Sequence, residues 1–247
     1  MLRKGYTQAP YHRKNQGGEH IPLDKRAEAA AKYLSEIQWG RDTESRQPLP
    51  SQKIITEPVT IKETEIEQEE LDRAIKKLKY RKSGGPDETT VEIFKAMDED
   101  SRQEVRKLLN KWWNTEEIEK EALRARVVHL YKKGNTSDLA NYRPISLLNT
   151  MYKLFAAIVQ ERISTGIDKH MHTTQYGFRK AKSTQQAIHI IRRIMERGES
   201  TTNKLILVLL DWEKAFDKLS RKGLFNALER SKATSWRATL TLHTSAS

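Results

Sequence analysis

Apolar residues recur at helical spacing through most of this chain, and this pattern predicts a series of amphipathic helices. The earliest predicted helix spans residues 26–39, is rich in alanine and glutamate, and ends before Gly40. Four later segments each place their apolar residues on one helical face. These faces are Leu71, Ile75 and Leu78; Val105, Leu108, Leu109 and Trp112; Tyr152, Phe155, Val159 and Ile163; and Ala187, Ile188, Ile191, Ile194 and Met195.

Polar residues at the ends of these segments predict where the helices start and stop. Gly84 to Asp87 (GGPD) is expected to end the helix that contains Leu71, and Asn149 is expected to cap the one that contains Phe155. Three further pairs have the spacing of a capping box, in which the first residue caps the helix and the second reaches back to it. They are Thr89 with Glu92, Ser101 with Glu104, and Ser183 with Gln186.

Three segments predict extended structure between the helices. Residues 126–131 (RVVHLY) alternate as a strand does, and Pro144 favours an extended backbone in residues 141–148. Leu205 to Leu210 form an unbroken apolar run that suits a strand buried on both faces of a sheet. Helices that alternate with a few strands indicate an α+β fold.

These patterns divide the chain into four parts. We expect a polar lead-in and linker with one helix in residues 1–60, and a main helical region in residues 61–204. Residues 205–230 hold the apolar strand and the polar residues after it, and residues 231–247 form a polar tail of low information.

Composition limits the classes of function. The 247 residues include no cysteine, which excludes disulfides and thiolate chemistry. No apolar run is long enough to span a membrane, and the N-terminus lacks the apolar core of a signal peptide. The formal charge is +12, and residues 120–197 contain fifteen Lys or Arg against five Asp or Glu. This concentration predicts a polyanionic partner such as nucleic acid, although a solvated surface without a specific partner would have the same composition.

Asp211, a charged residue, directly follows the apolar run of Leu205 to Leu210. A carboxylate at the end of a buried strand needs compensation, and a bound metal ion is one way to provide it. An Asp in this position is also common as a turn residue or helix cap, so the residue alone leaves both interpretations open.

Four segments, in this order, resemble the reverse transcriptase domain of non-LTR (LINE-type) retrotransposons. The first is Lys82 to Asp87, although the family usually has glycine where this chain has Glu88. The second is Leu130 to Gly134, continued by Asn141 to Leu148 (NYRPISLL). The third is Gln175 to Arg179 (QYGFR) with Ser183 and Thr184, and the fourth is Asp211 to Asp217 (DWEKAFD), which is similar to polymerase motif A.

The resemblance implies the fingers and part of the palm of a right-hand polymerase. Its activity would be RNA-directed DNA synthesis from an RNA template, a DNA primer and dNTPs, with Mg²⁺ as the cofactor. In this interpretation Asp211 is the catalytic metal ligand and Phe216 contacts the sugar and selects deoxynucleotides. Arg143 and Arg179 would hold phosphate. From the residues alone, a core position is the favoured interpretation for Phe216, and both arginines could pair with carboxylates.

The Tyr/Phe-x-Asp-Asp string that supplies the family's other catalytic carboxylates does not occur in this sequence. We therefore expect a domain truncated after motif A that does not polymerise DNA as an isolated chain. Two alternatives of other classes remain, namely a non-catalytic RNA- or DNA-binding remnant of such a polymerase and an interaction protein that uses its helical middle. A group II intron or retron polymerase is a close relative of the first interpretation. Membrane association is not expected, and intracellular action, in the nucleus, would suit a LINE-type element.

Overall fold

A computed structural model describes residues 14, 18–38, 59–201, 204–212 and 223–224 of the chain. Helix α1 (Arg26–Tyr33) continues into a π-helical turn at Leu34–Gln38, which agrees with the helix predicted from residue 26. The predicted sugar-contacting residue Phe216 and the polar tail of residues 231–247 lie outside the described residues.

Helices from four parts of the sequence enclose the hydrophobic core. They are α2 (Gln68–Lys77), α3 (Val91–Ala96), α4 (Glu99–Thr115) and α6 (Thr150–Asp168). The predicted faces of α2, α4 and α6 are buried there, and the ring of Trp112 meets that of Phe155 edge-on, with centroids 5.7 Å apart. Burial of such aromatic pairs supplies much of the free energy that holds a core together.

Two predicted helix starts and one predicted helix end need correction. Helix α2 ends at Lys77, before the predicted stop at Gly84, and α3 begins after Thr90 without a side-chain cap. Helix α4 begins at Glu99, because Asp98 caps it by accepting a hydrogen bond from the Ser101 backbone N–H. The Ser183–Gln186 capping box is confirmed at the start of α7 (Thr184–Ser200).

The short helix α5 (Lys120–Leu123) leads into an antiparallel hairpin. Strand β1 (Ala125–Tyr131) pairs along its whole length with β2 (Tyr142–Leu148), and Val128 lies opposite Ile145. These strands form a two-stranded sheet whose second strand leads directly into α6. The mixed helical and antiparallel arrangement confirms the predicted α+β class.

The strand predicted at Leu205 to Leu210 is wrong for this structure. These residues adopt no regular secondary structure, and Ile206 and Leu210 are 85% and 87% exposed. A strand needs a neighbour for its backbone hydrogen bonds, and no described segment pairs with this one. Helix α7 also differs from expectation, because none of its residues is buried. No helix within the described part of the chain is long and apolar enough to cross a membrane.

Candidate nucleic-acid interface

Arg143 lies on one face of the hairpin, opposite Leu130. Because directly opposed residues share a face of an antiparallel pair, Arg143 is on the same face as Val128 and Ile145. Its side chain is exposed, and no carboxylate of the described residues lies within ion-pair distance of it. The guanidinium therefore keeps its planar pairs of N–H donors, which suit phosphate oxygens, facing solvent.

The first turn of α6 attaches the hairpin to the loop that contains Gly84 to Asp87. Asn149 accepts a hydrogen bond from the Asp87 backbone N–H (3.3 Å) and donates one to the Glu121 carbonyl (2.9 Å). Thr150 donates its hydroxyl hydrogen to the Thr89 carbonyl at 2.7 Å. Asn149 is thus the N-cap residue that the sequence predicts, but its side chain joins separate segments and makes no capping hydrogen bond within α6.

The Gly-Gly-Pro-Asp loop approaches the end of β2 closely enough to require glycine. A Cβ atom on Gly85 would lie 2.6 Å from the carbonyl carbon of Leu148 and 2.5 Å from the backbone nitrogen of Asn149. Three residues later, Glu88 has a φ of +57°, a backbone region that favours glycine. This conformation gives a physical reason for the glycine expected at position 88, and Glu88 adopts it in this chain.

Arg179 is placed differently from Arg143. Its side chain is 10% exposed, and its Nε and Nη2 donate to the two carboxylate oxygens of Asp168 at 2.8 and 3.1 Å. Nη1 donates to the carbonyl of His172 at 3.1 Å. The hydrogen bonds and charge of Arg179 hold the pKa of the Asp168 carboxyl below its usual range. Arg179 therefore fixes the Gln175–Arg179 loop to the end of α6. Pairing with a carboxylate was the alternative to phosphate binding that the residues alone left open for Arg179.

The remaining basic side chains form an open surface. Twelve of the fifteen Lys and Arg residues between 120 and 197 are exposed. Ten of these have no carboxylate within ion-pair distance among the described residues, since Arg126 pairs with Glu88 and Arg193 with Glu196. We call these ten the open cations: Lys120, Arg124, Lys132, Lys133, Arg143, Lys169, Lys180, Lys182, Arg192 and Arg197. A surface with this excess of unneutralised positive charge attracts polyanions.

Arg162 is the one buried member of the fifteen, and sequence reasoning missed it. It forms a bidentate pair with Glu70, with Nη2–Oε2 and Nε–Oε1 distances of 2.7 and 2.8 Å. Its donors also reach the carbonyls of Thr64 (2.8 Å) and Glu65 (3.1 Å), and its guanidinium lies 4.6 Å from the centre of the Trp113 ring. The sequence did contain a signal for this burial, because Arg162 lies three residues after Val159 and therefore on the apolar side of α6.

This pair changes the protonation of Glu70. Burial raises the pKa of the Glu70 carboxyl, but the hydrogen bonds and charge of Arg162, with smaller contributions from Glu67 and Lys62, outweigh it and leave the pKa at about 2. The Glu70 carboxyl is therefore charged at neutral pH, and its pair with Arg162 serves the packing of α2 against α6.

Asp211 lies exposed at the end of the segment 204–212. Among the residues that the structure describes, no three His, Asp or Glu side chains come together as a metal site. One carboxylate cannot hold two divalent ions against water, so the described residues do not fit a two-magnesium centre by themselves. The structure does not bring Asp211 together with Arg143 and Arg179 in one described site.

Comparison with known proteins agrees with the motifs. Residues 130–246 match the family described as reverse transcriptase (RNA-dependent DNA polymerase). The chain is 28% identical over 167 residues to the "Transposon TX1 uncharacterized 149 kDa protein" of Xenopus laevis. This match covers 68% of this chain and 13% of that protein. It is 25% identical over 168 residues to the "Probable RNA-directed DNA polymerase from transposon BS" of Drosophila melanogaster, which covers 67% of this chain and 18% of that protein.

A further relative is the "RNA-directed DNA polymerase from mobile element jockey" of Drosophila melanogaster, 24% identical over 165 residues, or 66% of this chain and 18% of that protein. The matched part of the chain thus spans less than a fifth of the length of these relatives. Residues 130–246 match the reverse transcriptase family, and about two thirds of the chain is similar to part of the RNA-directed DNA polymerases of such mobile elements.

Proposed function

We propose that this chain binds nucleic acid as the fingers of a reverse transcriptase, with an RNA template as its main ligand. The observation that carries this proposal is the set of ten open cations, which are exposed and have no carboxylate within ion-pair distance among the described residues. The hairpin presents Arg143 toward solvent, where it can donate to phosphate oxygens. The fastened loop at Arg179 adds Lys180 and Lys182 to the same basic part of the sequence.

The test is the affinity of the full chain for a single-stranded RNA and for an RNA–DNA hybrid as a function of salt concentration. If the open cations neutralise phosphates, the logarithm of the binding constant falls linearly with the logarithm of the salt concentration. Asp211→Ala is the matched control, because this exposed residue belongs to no basic cluster and its loss should not weaken binding. Failure to bind RNA at any salt concentration would contradict the proposal and favour a protein–protein role for the helical middle.

We also propose roles in the complete polymerase for residues whose partners are not in the described part of the chain. Asp211 would hold a catalytic Mg²⁺ together with carboxylates that these 247 residues do not supply as a Tyr/Phe-x-Asp-Asp string. Phe216 would contact the sugar of the incoming dNTP beside the DNA primer. The family match over residues 130–246 supports both assignments.

We expect no Mg²⁺-dependent primer extension by the chain alone. The assay uses an RNA template, a DNA primer and dNTPs, with Asp211→Ala run in parallel. Extension by the parent chain that disappears in Asp211→Ala would show that the chain assembles a working metal site and would contradict this expectation.

A further inference from the structure

The segment at residues 204–212 exposes an unbroken run of apolar side chains. All six residues of the run are exposed, from 46% at Leu205 to 87% at Leu210, and Trp212 is 84% exposed. A contiguous apolar surface of this kind marks a site of interaction with another molecule. Among the described residues no backbone hydrogen bond involves this segment, so within that part of the chain its N–H and C=O groups have no protein partner.

The sequence of this segment favours a β-strand as soon as a neighbouring strand is present. It contains the β-branched residues Ile206 and Val208, it has no proline or glycine, and no charge lies between Lys204 and Asp211. What it lacks is a neighbour with unpaired backbone groups of its own. A second copy of this chain supplies such a neighbour, and a two-fold axis between the copies satisfies both segments in the same way.

The charges at the ends of the segment favour an antiparallel arrangement. Lys204 precedes the apolar run, Asp211 follows it, and both are exposed. Antiparallel strands bring the cationic end of one copy beside the anionic end of the other, whereas parallel strands in register bring like charges together.

The two-fold axis also fixes the register of an antiparallel pair. One residue must lie opposite its own copy, and with Val208 in this position the whole segment 204–212 is paired. Lys204 then lies opposite Trp212 of the second copy, where the ammonium group can make a cation–π contact with the indole ring.

Helix α7 supports one face of such a pair. Leu205, Leu207 and Leu209 share this face, because side chains alternate along a strand. A Cβ atom on Gly198 of α7 would lie 3.6 Å from the Cβ atom of Leu205, so the segment starts in contact with the helix. The two-fold axis places both α7 helices on the same face of the pair. A two-stranded sheet is marginal in water by itself, and packing against helices gives it the support that it needs.

We propose that residues 204–212 pair antiparallel with the same residues of a second copy of this chain, centred on Val208, and join the two copies as a two-fold dimer. This inference goes beyond the proposed nucleic-acid binding, because none of the open cations lies in the segment. It concerns the chain as it stands, whereas the metal role proposed for Asp211 concerns the complete polymerase.

The test uses the full chain without nucleic acid, so its outcome is independent of the proposed RNA binding. Sedimentation velocity over a range of protein concentrations measures the dimer. Because the chain has no cysteine, single-cysteine variants report which residues meet, and oxidation followed by non-reducing electrophoresis detects the cross-link. The variants are Val208→Cys, Ile206→Cys and Leu210→Cys.

We expect Val208→Cys to cross-link by itself. Opposed Cα atoms of antiparallel strands are about 4.5–5.5 Å apart, within the range of a disulfide bond. Ile206→Cys alone should not cross-link, because the two copies of residue 206 would lie about 14 Å apart along the strands. A mixture of Ile206→Cys and Leu210→Cys should cross-link, because these two residues lie opposite each other.

A charge at the centre should break the dimer. We expect Val208→Lys to weaken dimerisation by at least about tenfold, because two lysines would face each other across the axis. Ile188→Lys is the matched control, since Ile188 is 58% exposed and lies ten residues before Gly198 on α7. This control should dimerise as the parent chain does.

Three results would overturn the inference and leave the proposed RNA binding intact. The first is a parent chain that stays monomeric up to about 100 μM. The second is cross-linking of all three single-cysteine variants to the same extent, which would indicate parallel strands or unspecific association. The third is a Val208→Lys variant that dimerises as strongly as the parent chain.

Discussion

The described part of the chain contains two regions that use their charges in opposite ways. In residues 59–119 six of the twelve Lys and Arg residues pair with carboxylates, as in the pairs Lys77–Glu161, Arg102–Asp72 and Lys111–Glu119, whereas in residues 120–200 four of fifteen do. In residues 120–200 most cations are open, and α7 has no buried residue. The first region, the scaffold, packs most of the core and pairs a larger share of its cations, and the second, the surface, exposes a larger share of unpaired cations, which we propose serve a ligand.

Arg143 and Arg179 show the difference between an open and a paired cation at the level of single residues. Both belong to motifs that resemble polymerase fingers, and this resemblance implies a phosphate contact for each. Arg143 is exposed without a described carboxylate partner, whereas Arg179 is 10% exposed and bound to Asp168. The surroundings of an arginine, rather than its place in a motif, decide whether its guanidinium is available to a ligand.

The largest effect on the scaffold is expected from Arg162→Ala. The change leaves the Glu70 carboxylate buried without its main partner and removes the donors to the carbonyls of Thr64 and Glu65. Breaking a buried pair in this way lowers the free energy of unfolding by about 3–5 kcal/mol. Urea denaturation measures the loss.

Arg193→Ala is the control, since Arg193 is 70% exposed and pairs with Glu196 one turn away. It should change the free energy of unfolding by less than about 0.5 kcal/mol. Equal effects of the two substitutions would contradict the distinction between scaffold and surface.

The same pair predicts an acid-sensitive scaffold. The pKa of Glu70 is lowered from 4.5 to about 2 in the folded chain. A lowered carboxyl pKa stabilises the fold above the unfolded value, and this stabilisation is lost as the pH falls from about 4.5 toward about 2. The lost contribution is on the order of 3 kcal/mol. Urea denaturation at several pH values measures it, and Glu70→Gln should flatten the dependence across this interval.

Gly85→Ala tests the contact between the two regions, where the Gly-Gly-Pro-Asp loop packs against the end of β2. The added methyl group would meet the backbone of Leu148 and Asn149, so the Gly-Gly-Pro-Asp loop must move. We expect a loss of about 1–3 kcal/mol in the free energy of unfolding. At Gly177 the nearest atom to an added Cβ is 3.7 Å away, and Gly177→Ala should therefore leave stability nearly unchanged. Thermal denaturation of both variants separates a specific clash from a general intolerance of alanine.

The smallest change concerns the surface alone. Arg143→Ala removes one open cation from the hairpin without removing a described hydrogen bond or ion pair. The slope of log affinity for RNA against log salt should fall by about one, while the free energy of unfolding stays the same. Salt titrations of the variant and the parent chain give this slope. An unchanged slope would mean that Arg143 does not contact phosphate.

The hydrophobic pattern was sufficient to predict the packed helices. Leu71, Leu109 and Phe155 are buried where helical spacing placed them, because each has apolar neighbours within the chain. Isoleucines at the same spacing in α7, such as Ile188 and Ile194, are more than half exposed. Periodicity shows which face of a helix is apolar, but burial depends on a second element that covers it.

The polar contacts at the candidate site were harder to predict. The sequence predicts Asn149 as an N-cap residue. Only the folded structure shows that its side chain instead hydrogen-bonds to the backbone of Asp87 and Glu121. The Arg179–Asp168 and Arg162–Glu70 pairs join residues that are 11 and 92 positions apart. Spacing rules within one helix do not reach such distances, so pairing could not be read from the sequence.

The most direct test of the contrast between scaffold and surface is lysine footprinting with and without RNA. Acetylation of the folded chain, read by mass spectrometry, reports the accessibility of each lysine separately. We predict that RNA protects Lys132, Lys133, Lys180 and Lys182, all open cations. Lys77, Lys107 and Lys111 have side chains 61–65% exposed but paired with carboxylates, and they should react equally with and without RNA. Equal protection of both groups, or protection of the paired lysines alone, would contradict the account.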